Sequence, residues 1–361
     1  MLSRLTKRKF KAMCFYMSSW LLGCFAFILL YYFGTPNVFS FSFYLYIIQF
    51  SIFTGLSQGI YDILILQDDK DHRSVIPSLL IRSLYLSLTI VINISLCVFI
   101  EHLYSTGSLI SENSLTALCR HWSENSTRAF AIYSFLLGYL ITFIRSVHKK
   151  FGTRVLINTI LGKYQEPTEE ERVFMFVDLR QSTALAEELG NFKYSSFLRD
   201  YYHYLSNCCE ENHGEIYQIV GDGVVLSWAM KKCLKKPRPV YCFEDLKLCF
   251  QRLAPVFQKK YGRIPSFRAA AHCGKVIVSE VGNFGSEMAY HGDAVNTTAR
   301  LQTLCSQNNY EFLISEELLL KLKKMEKYHP ENKGIMELKG KKRNIFAYTL
   351  DFSLDNLKNI S

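Results

Sequence analysis

The sequence predicts two units of different kind: an all-α half with four membrane spans over residues 1–148, and a soluble half mixing helices and strands over 172–350. A linker at 149–171 joins them, and 351–361 form a tail. Three observations carry this reading. Hydrophobic residues make up 49% of the 361, too many for a disordered or collagen-like chain. Residues 1–148 hold 11 Lys+Arg and 7 Asp+Glu against 31 and 25 in the remainder, so charge density jumps near residue 149. Residues 13–33 are an uncharged run of 21, whereas the soluble half opens on the short apolar run 172–179.

At about 1.5 Å per helical residue the first run crosses a hydrocarbon core of about 30 Å. A cleaved signal peptide would carry an apolar stretch of only about 7–15 residues before a small-residue cleavage site, and 34–40 offer none. Further spans are expected at 41–66, 77–100 and 129–148. Asp62 and Arg82, near the ends that meet the 67–76 loop, can snorkel to the interface. Gly55 and Gly59 form a GxxxG step that lets helices approach closely, with dimerisation one use of it. Lys and Arg are dense in 4–11 and again in 145–154 but absent from 34–40. Both termini, and with them the soluble half, are therefore expected on the cytoplasmic side of the plasma (inner) membrane. No span carries a row of ionisable groups, so the helices suit an anchor or sensor better than a transport pathway.

The net charge of +10 divides between the halves without forming a polybasic stripe, which argues against nucleic acid as a partner. The 11 cysteines are scattered, with no CxxC pair, and read as reduced thiols rather than a disulfide or zinc framework.

In the soluble half, Arg172–Leu179 is too short for a helix and reads as a central strand carrying Asp178 at its carboxyl edge. Helical periodicity follows over about 182–210. Two β-rich runs then flank Gly221-Asp222-Gly223, a tight hairpin signal. A strand, a crossing helix and a second strand parallel to the first would bring that hairpin to the edge where Asp178 sits. Paired carboxylates beside backbone N–H groups at 179–183 suit two Mg²⁺ ions and a triphosphate. Taken singly, an Asp ending a strand is commonly an N-cap and Asp-Gly a plain turn. A third element, Tyr290–Arg300, weighs against that reading: Asp293 can cap a helix on which Asn296 and Arg300, four apart, share a face.

Together FVDLRQST, IVGDGVV, GDAVNTTARL and the closing LKGKKRNIFAY resemble the class III nucleotidyl cyclases over about residues 170–350. The resemblance implies an α+β, ferredoxin-like catalytic domain working as a head-to-tail homodimer with composite sites. It implies that Asp178, Leu179 and Asp222 hold two Mg²⁺ or Mn²⁺ ions per site and that Asn296 and Arg300 of the other subunit serve the ribose and the transition state. Arg180, Gln181, Ser182 and Thr183 would line the nucleoside triphosphate, and Lys339 would reach its phosphates. The base is read differently. The position of the usual adenylate cyclase lysine is Gln218, and that of the adenine-reading acid or threonine is Ala289, with Tyr290 adjacent; the Glu and Cys of guanylate cyclases are absent. ATP is the expected substrate, with GTP or a pyrimidine triphosphate as alternatives, and a non-catalytic nucleotide-binding receptor as the rival from another class.

Overall fold

The computed structural model describes residues 4–31, 33, 41–65, 75–106, 114–151, 166–282, 287–336 and 345–352. The chain divides into two compact units, Met1–Thr153 and Arg154–Ser361.

The first unit contains helices α1 (Arg4–Tyr31), α2 (Phe41–Ile65), α3 (Val75–Thr106), α4 (Ser114–Ser123) and α5 (Asn125–Phe151). Each predicted span falls on a helix. Three stretches are long and apolar enough to cross a membrane: Lys9–Tyr31, Ile81–Ile100 and Asn125–Ser146. The second expected span, α2, is not among them, because Gln49, Ser51, Thr54, Ser57, Gln58 and Asp62 dilute its apolar run. Several of those groups turn inward. Trp20 Nε1 donates to Gln58 Oε1 at 2.8 Å, and Asn93 Nδ2 to Thr54 Oγ1 at 2.7 Å. Such bonds satisfy polar groups that an apolar surround would otherwise penalise. The GxxxG step is used within the chain: a Cβ at Gly55 would lie 2.7 Å from Met17 Cα, and one at Gly59 3.3 Å from Met13 Cα, so α1 rests directly on this face of α2. Asp62 does not snorkel; it is 5% exposed, with Arg145 Nε 3.7 Å from its carboxylate. The short α4, between the third and fourth expected spans, is an element that was not expected; five of its ten residues are apolar.

The second unit runs β1 (Thr168–Leu179), α6 (Ser182–Glu211), β2 (Glu215–Val220), β3 (Gly223–Ala229), α7 (Met230–Cys233), α8 (Arg238–Tyr261) and β4 (Phe267–Val281). It continues with β5 (Glu287–His291), α9 (Asp293–Gln307), β6 (Phe312–Ser315), α10 (Glu316–Lys321), β7 (Glu331–Met336) and β8 (Ile345–Thr349). Among the described residues the sheet has the order β2-β3-β1-β4-β6-β8-β7, with β5 paired to β4. The first four strands and the helices α6 and α8 thus form β-α-β-β-α-β with antiparallel order β2-β3-β1-β4, the ferredoxin-like arrangement expected. β2 is parallel to β1 as anticipated, but β3 lies between them.

Strand alternation separates two faces. Val173, Met175 and Val177 of β1 join Phe197, Tyr201 and Leu205 of α6 and Phe243, Leu246 and Phe250 of α8 in the main core. The opposite face packs Phe174 and Val276 against Ala294 of α9. Contact there is close: a Cβ at Gly274 would meet Ala294 Cβ at 2.9 Å, so a side chain at 274 would push α9 off the sheet. Gly190 breaks α6 with φ 69°, a conformation that favours glycine.

Candidate active site

Asp178 is the last but one residue of β1, on the face covered by α9, and Asp222 occupies the two-residue β2–β3 turn at the same edge. Gly221 takes φ 61°, which permits the tight turn, and the Tyr202 hydroxyl donates to its carbonyl. A Cβ at Gly223 would stand 3.8 Å from Asp178 Oδ1, which places the turn beside the carboxylate. Burial and the neighbouring Asp222 raise the Asp178 pKa, while Arg268 and the Gln302 amide oppose the rise. Arg268 faces Asp178 in the β1–β4 register, its Nε 3.8 Å from Oδ2. The phenol of Tyr194 is pushed up by burial and by both carboxylates, and that of Tyr202 up to about 12 by burial and Asp222.

Two acids crowded into a half-buried edge destabilise each other's charge, and a divalent cation relieves that repulsion with hard oxygen ligands. The donor set therefore fits Mg²⁺ or Mn²⁺. The Leu179 side chain is in the core at 2% exposure, so only its main chain can contribute. Among the described residues no group of three or more His, Cys, Asp or Glu is arranged so that it could by itself hold a metal ion.

The turn into α6 is partly occupied. The Arg180 N–H, one of the groups expected to face the triphosphate, instead donates to the Ser266 carbonyl at 2.8 Å. The Arg180 guanidinium binds Asn309 Oδ1 at 2.7 Å and the Tyr310 carbonyl at 3.0 Å, which ties it to the loop after α9. Gln181 is left-handed at φ 56° and ψ 34°, and Ser182 and Thr183 open the helix.

α9 starts at Asp293 with Gly292 in the cap position, so the expected Asp293 cap is replaced by an acid in the first turn. Ala294, Thr297, Thr298, Leu301 and Gln302 turn toward the sheet. Asn296 is exposed and Arg300 half-buried. The cation acting on Asp178 within this chain is Arg268, not Arg300.

Gln218 is exposed on β2 next to a bulge, and Ala289 pairs with Ser279 on β5. Tyr290 is held in an aromatic cluster: its ring centroid is 4.7 Å from that of Tyr217 and 5.5 Å from that of Phe174, and Arg172 lies 4.7 Å over its face. Arg172 is 1% exposed, donating to Ser227 Oγ at 2.8 Å and pairing with Glu170 and Glu215. Lys339 lies outside the described residues.

Arg268, Gln302 and Arg172 were not singled out from the sequence. Alternation in FRAAAHC puts Arg268 on one face with Ala270 and His272, but its position opposite Asp178 depends on long-range pairing.

Residues 164–351 match the family model described as the adenylate and guanylate cyclase catalytic domain. The chain is 32% identical over 219 residues to adenylate cyclase 2 of Rhizobium meliloti (strain 1021), covering 61% of this chain and 60% of that protein's length. The fold is similar to that of a bacterial light-regulated adenylyl cyclase, with TM-score 0.52 and 20% identity over 65% of this chain and 69% of the other. With the ordered motifs, the ferredoxin-like core and the match over residues 164–351, the chain belongs to the family of adenylate and guanylate cyclase catalytic domains.

Proposed function

We propose that the protein is a membrane-anchored adenylate cyclase, converting ATP to 3′,5′-cyclic AMP and pyrophosphate for intracellular signalling. The observation that carries the reading is the pair Asp178 and Asp222 on one sheet edge. Choice of ATP is supported by the 32% identical relative named as an adenylate cyclase. The bilayer as partner, and a multi-pass placement with both termini cytoplasmic, are supported by the three apolar helices and the flanking basic residues.

Asp178 and Asp222, with the main chain at Leu179, would hold two Mg²⁺ or Mn²⁺ ions, whose chemistry when bound is to lower the pKa of the ribose 3′-hydroxyl and neutralise phosphate charge. The 3′-oxygen attacks the α-phosphorus as its proton passes to solvent water, and the bond from the α-phosphorus to the bridging oxygen breaks to release pyrophosphate. In a head-to-tail homodimer Asn296 of the other subunit orients the ribose and Arg300 meets charge developing on the α-phosphoryl oxygens. The exposed Gln218 amide can donate to or accept from a base edge, whereas Ala289 offers no polar side-chain atom. Ser182 and Thr183, at the start of α6, face the triphosphate.

The test is to incubate the full-length protein in membranes with each of ATP, GTP, CTP and UTP plus Mg²⁺ or Mn²⁺ and to identify cyclic products. Cyclic AMP as the main product is expected. A different cyclic nucleotide would move the substrate assignment, and nucleotide binding without any cyclic product would replace the enzyme by a receptor.

A further inference from the structure

Two buried polar groups beside Asp178 lack hydrogen-bond partners. Gln302, on the sheet-facing side of α9, is 8% exposed, and among the described residues neither its Nε2 nor its Oε1 makes a hydrogen bond. Arg268 Nε is likewise buried and unbonded, 3.8 Å from Asp178 Oδ2. In the described part of the cyclase unit only Tyr201 Oη and Thr297 Oγ1 share that condition, so three of the five such atoms gather at one carboxylate. Helix α9 brings Gln302 there. The carbonyl of Ser306, one turn further along, accepts from Arg268 Nη1 at 3.1 Å, and residues four apart share a helix face. Gln302 therefore meets the β1–β4 ladder next to the Asp178–Arg268 pair, where its amide favours the ionised carboxylate.

A buried amide without a partner is unfavourable, whereas Leu or Met would fill the same place without that penalty. The amide is better matched to a state in which Asp178 is fully ionised. A carboxylate has about four acceptor positions on its two oxygens, enough for a cation and for hydrogen bonds from the protein. Holding the carboxylate by a neighbouring donor fixes its orientation before the cation arrives, which favours binding.

We infer that Gln302 is a positioning residue for the metal edge: its amide N–H donates to the Asp178 carboxylate when that carboxylate holds a divalent cation, and with Arg268 Nε it fixes the carboxylate's orientation. The inference rests on the metal role proposed above for Asp178 and Asp222. Because Asn296 and Arg300 of the same helix are assigned there to the other subunit's site, α9 would serve both half-sites of the dimer.

The experiment uses the full-length protein in phosphatidylcholine nanodiscs without nucleotide, and electron paramagnetic resonance of free Mn²⁺ reads how much of the ion is bound. Wild type should bind and Asp178→Asn should not. Gln302→Met, of similar length without the amide, should bind about tenfold more weakly, as for loss of a hydrogen bond to a charged group. The Mn²⁺ concentration for half-maximal cyclase activity should rise by a similar factor, with kcat at saturating Mn²⁺ changed less than about threefold. Metal-free thermal unfolding should find Gln302→Met at least as stable as wild type, because an unpaired amide is removed. If that variant does not fold, Gln302→Leu takes its place; Thr303→Ala, on the exposed flank of α9, should bind Mn²⁺ as wild type does. Wild-type Mn²⁺ affinity in the folded Gln302 variants overturns the positioning role and leaves the metal reading intact. No binding by wild type, or full binding by Asp178→Asn, overturns the metal reading and this role with it.

Discussion

Asp178 and Arg268 stand opposite one another across the β1–β4 ladder, with 3.8 Å between the guanidinium Nε and the carboxylate. Arg268 is anchored by a 3.1 Å bond from Nη1 to the Ser306 carbonyl, so it is a fixed rather than a mobile counter-charge. It opposes the rise that burial and Asp222 impose on Asp178.

Arg268→Met should therefore raise the Asp178 pKa further. Because the ionised carboxylate is the form that holds a cation, the acid limb of the kcat/KM profile should move to higher pH, with Arg268→Lys restoring part of the shift. An unmoved acid limb would mean that Arg268 serves only to join β4 to α9.

The Asp178 pKa is raised in the folded state, so the folded protein keeps that proton to higher pH than the unfolded chain. Stability from this group is present below the ordinary carboxylate range and declines as pH rises through the raised value. At neutral pH without metal, Asp178→Asn should accordingly be at least as stable as wild type. Mn²⁺ should raise Tm of the wild type but not of Asp178→Asn or Asp222→Asn, and both variants should lack cyclase activity. Equal Mn²⁺ shifts in all three proteins would remove the metal from this edge.

Arg300→Ala should lower kcat by a factor on the order of 10²–10³ with little change in KM, as for loss of a group that acts mainly in the transition state. Kinetics over a range of ATP concentrations separate the two. A change confined to KM would make Arg300 a ground-state contact.

Asn296 is exposed and the counter-charge at Asp178 comes from Arg268, which accords with composite sites shared by two chains. Mixing inactive Asp178→Asn and Arg300→Ala proteins should then recover roughly a quarter of wild-type activity on random exchange, since about half the dimers are mixed and each has one intact site. Demonstrated heterodimers without recovered activity would place the acids and Arg300 in one chain's site.

Arg172 is nearly inaccessible and joins Glu170, Glu215, Ser227 and the Tyr290 ring. Arg172→Met should destabilise the cyclase unit by about 3 kcal/mol, because the facing acids lose their partner. Adding Glu215→Gln should return part of that loss, as read by chemical unfolding. The same cluster holds Tyr217 of β2 to Tyr290 of β5, beside Gln218 and Ala289.

Features that depend on near neighbours were legible in the residues alone: the uncharged runs, the strand carrying Asp178 near its end, the Gly-Asp-Gly turn, and the shared flank of Asn296 and Arg300. Each is set by strand alternation, a two-residue turn or helical spacing. What those elements meet depends on long-range packing. β3 lies between β1 and β2, Arg268 faces Asp178, Gln302 reaches the site from α9, and Arg172 sits under Tyr290. In the helical unit it turned Asp62 inward and set Gly55 and Gly59 against α1. The reason is physical: strand register and the rotation of a helix about its axis are fixed by packing between distant segments, and a one-residue slip in either would exchange buried for exposed side chains without altering any local pattern.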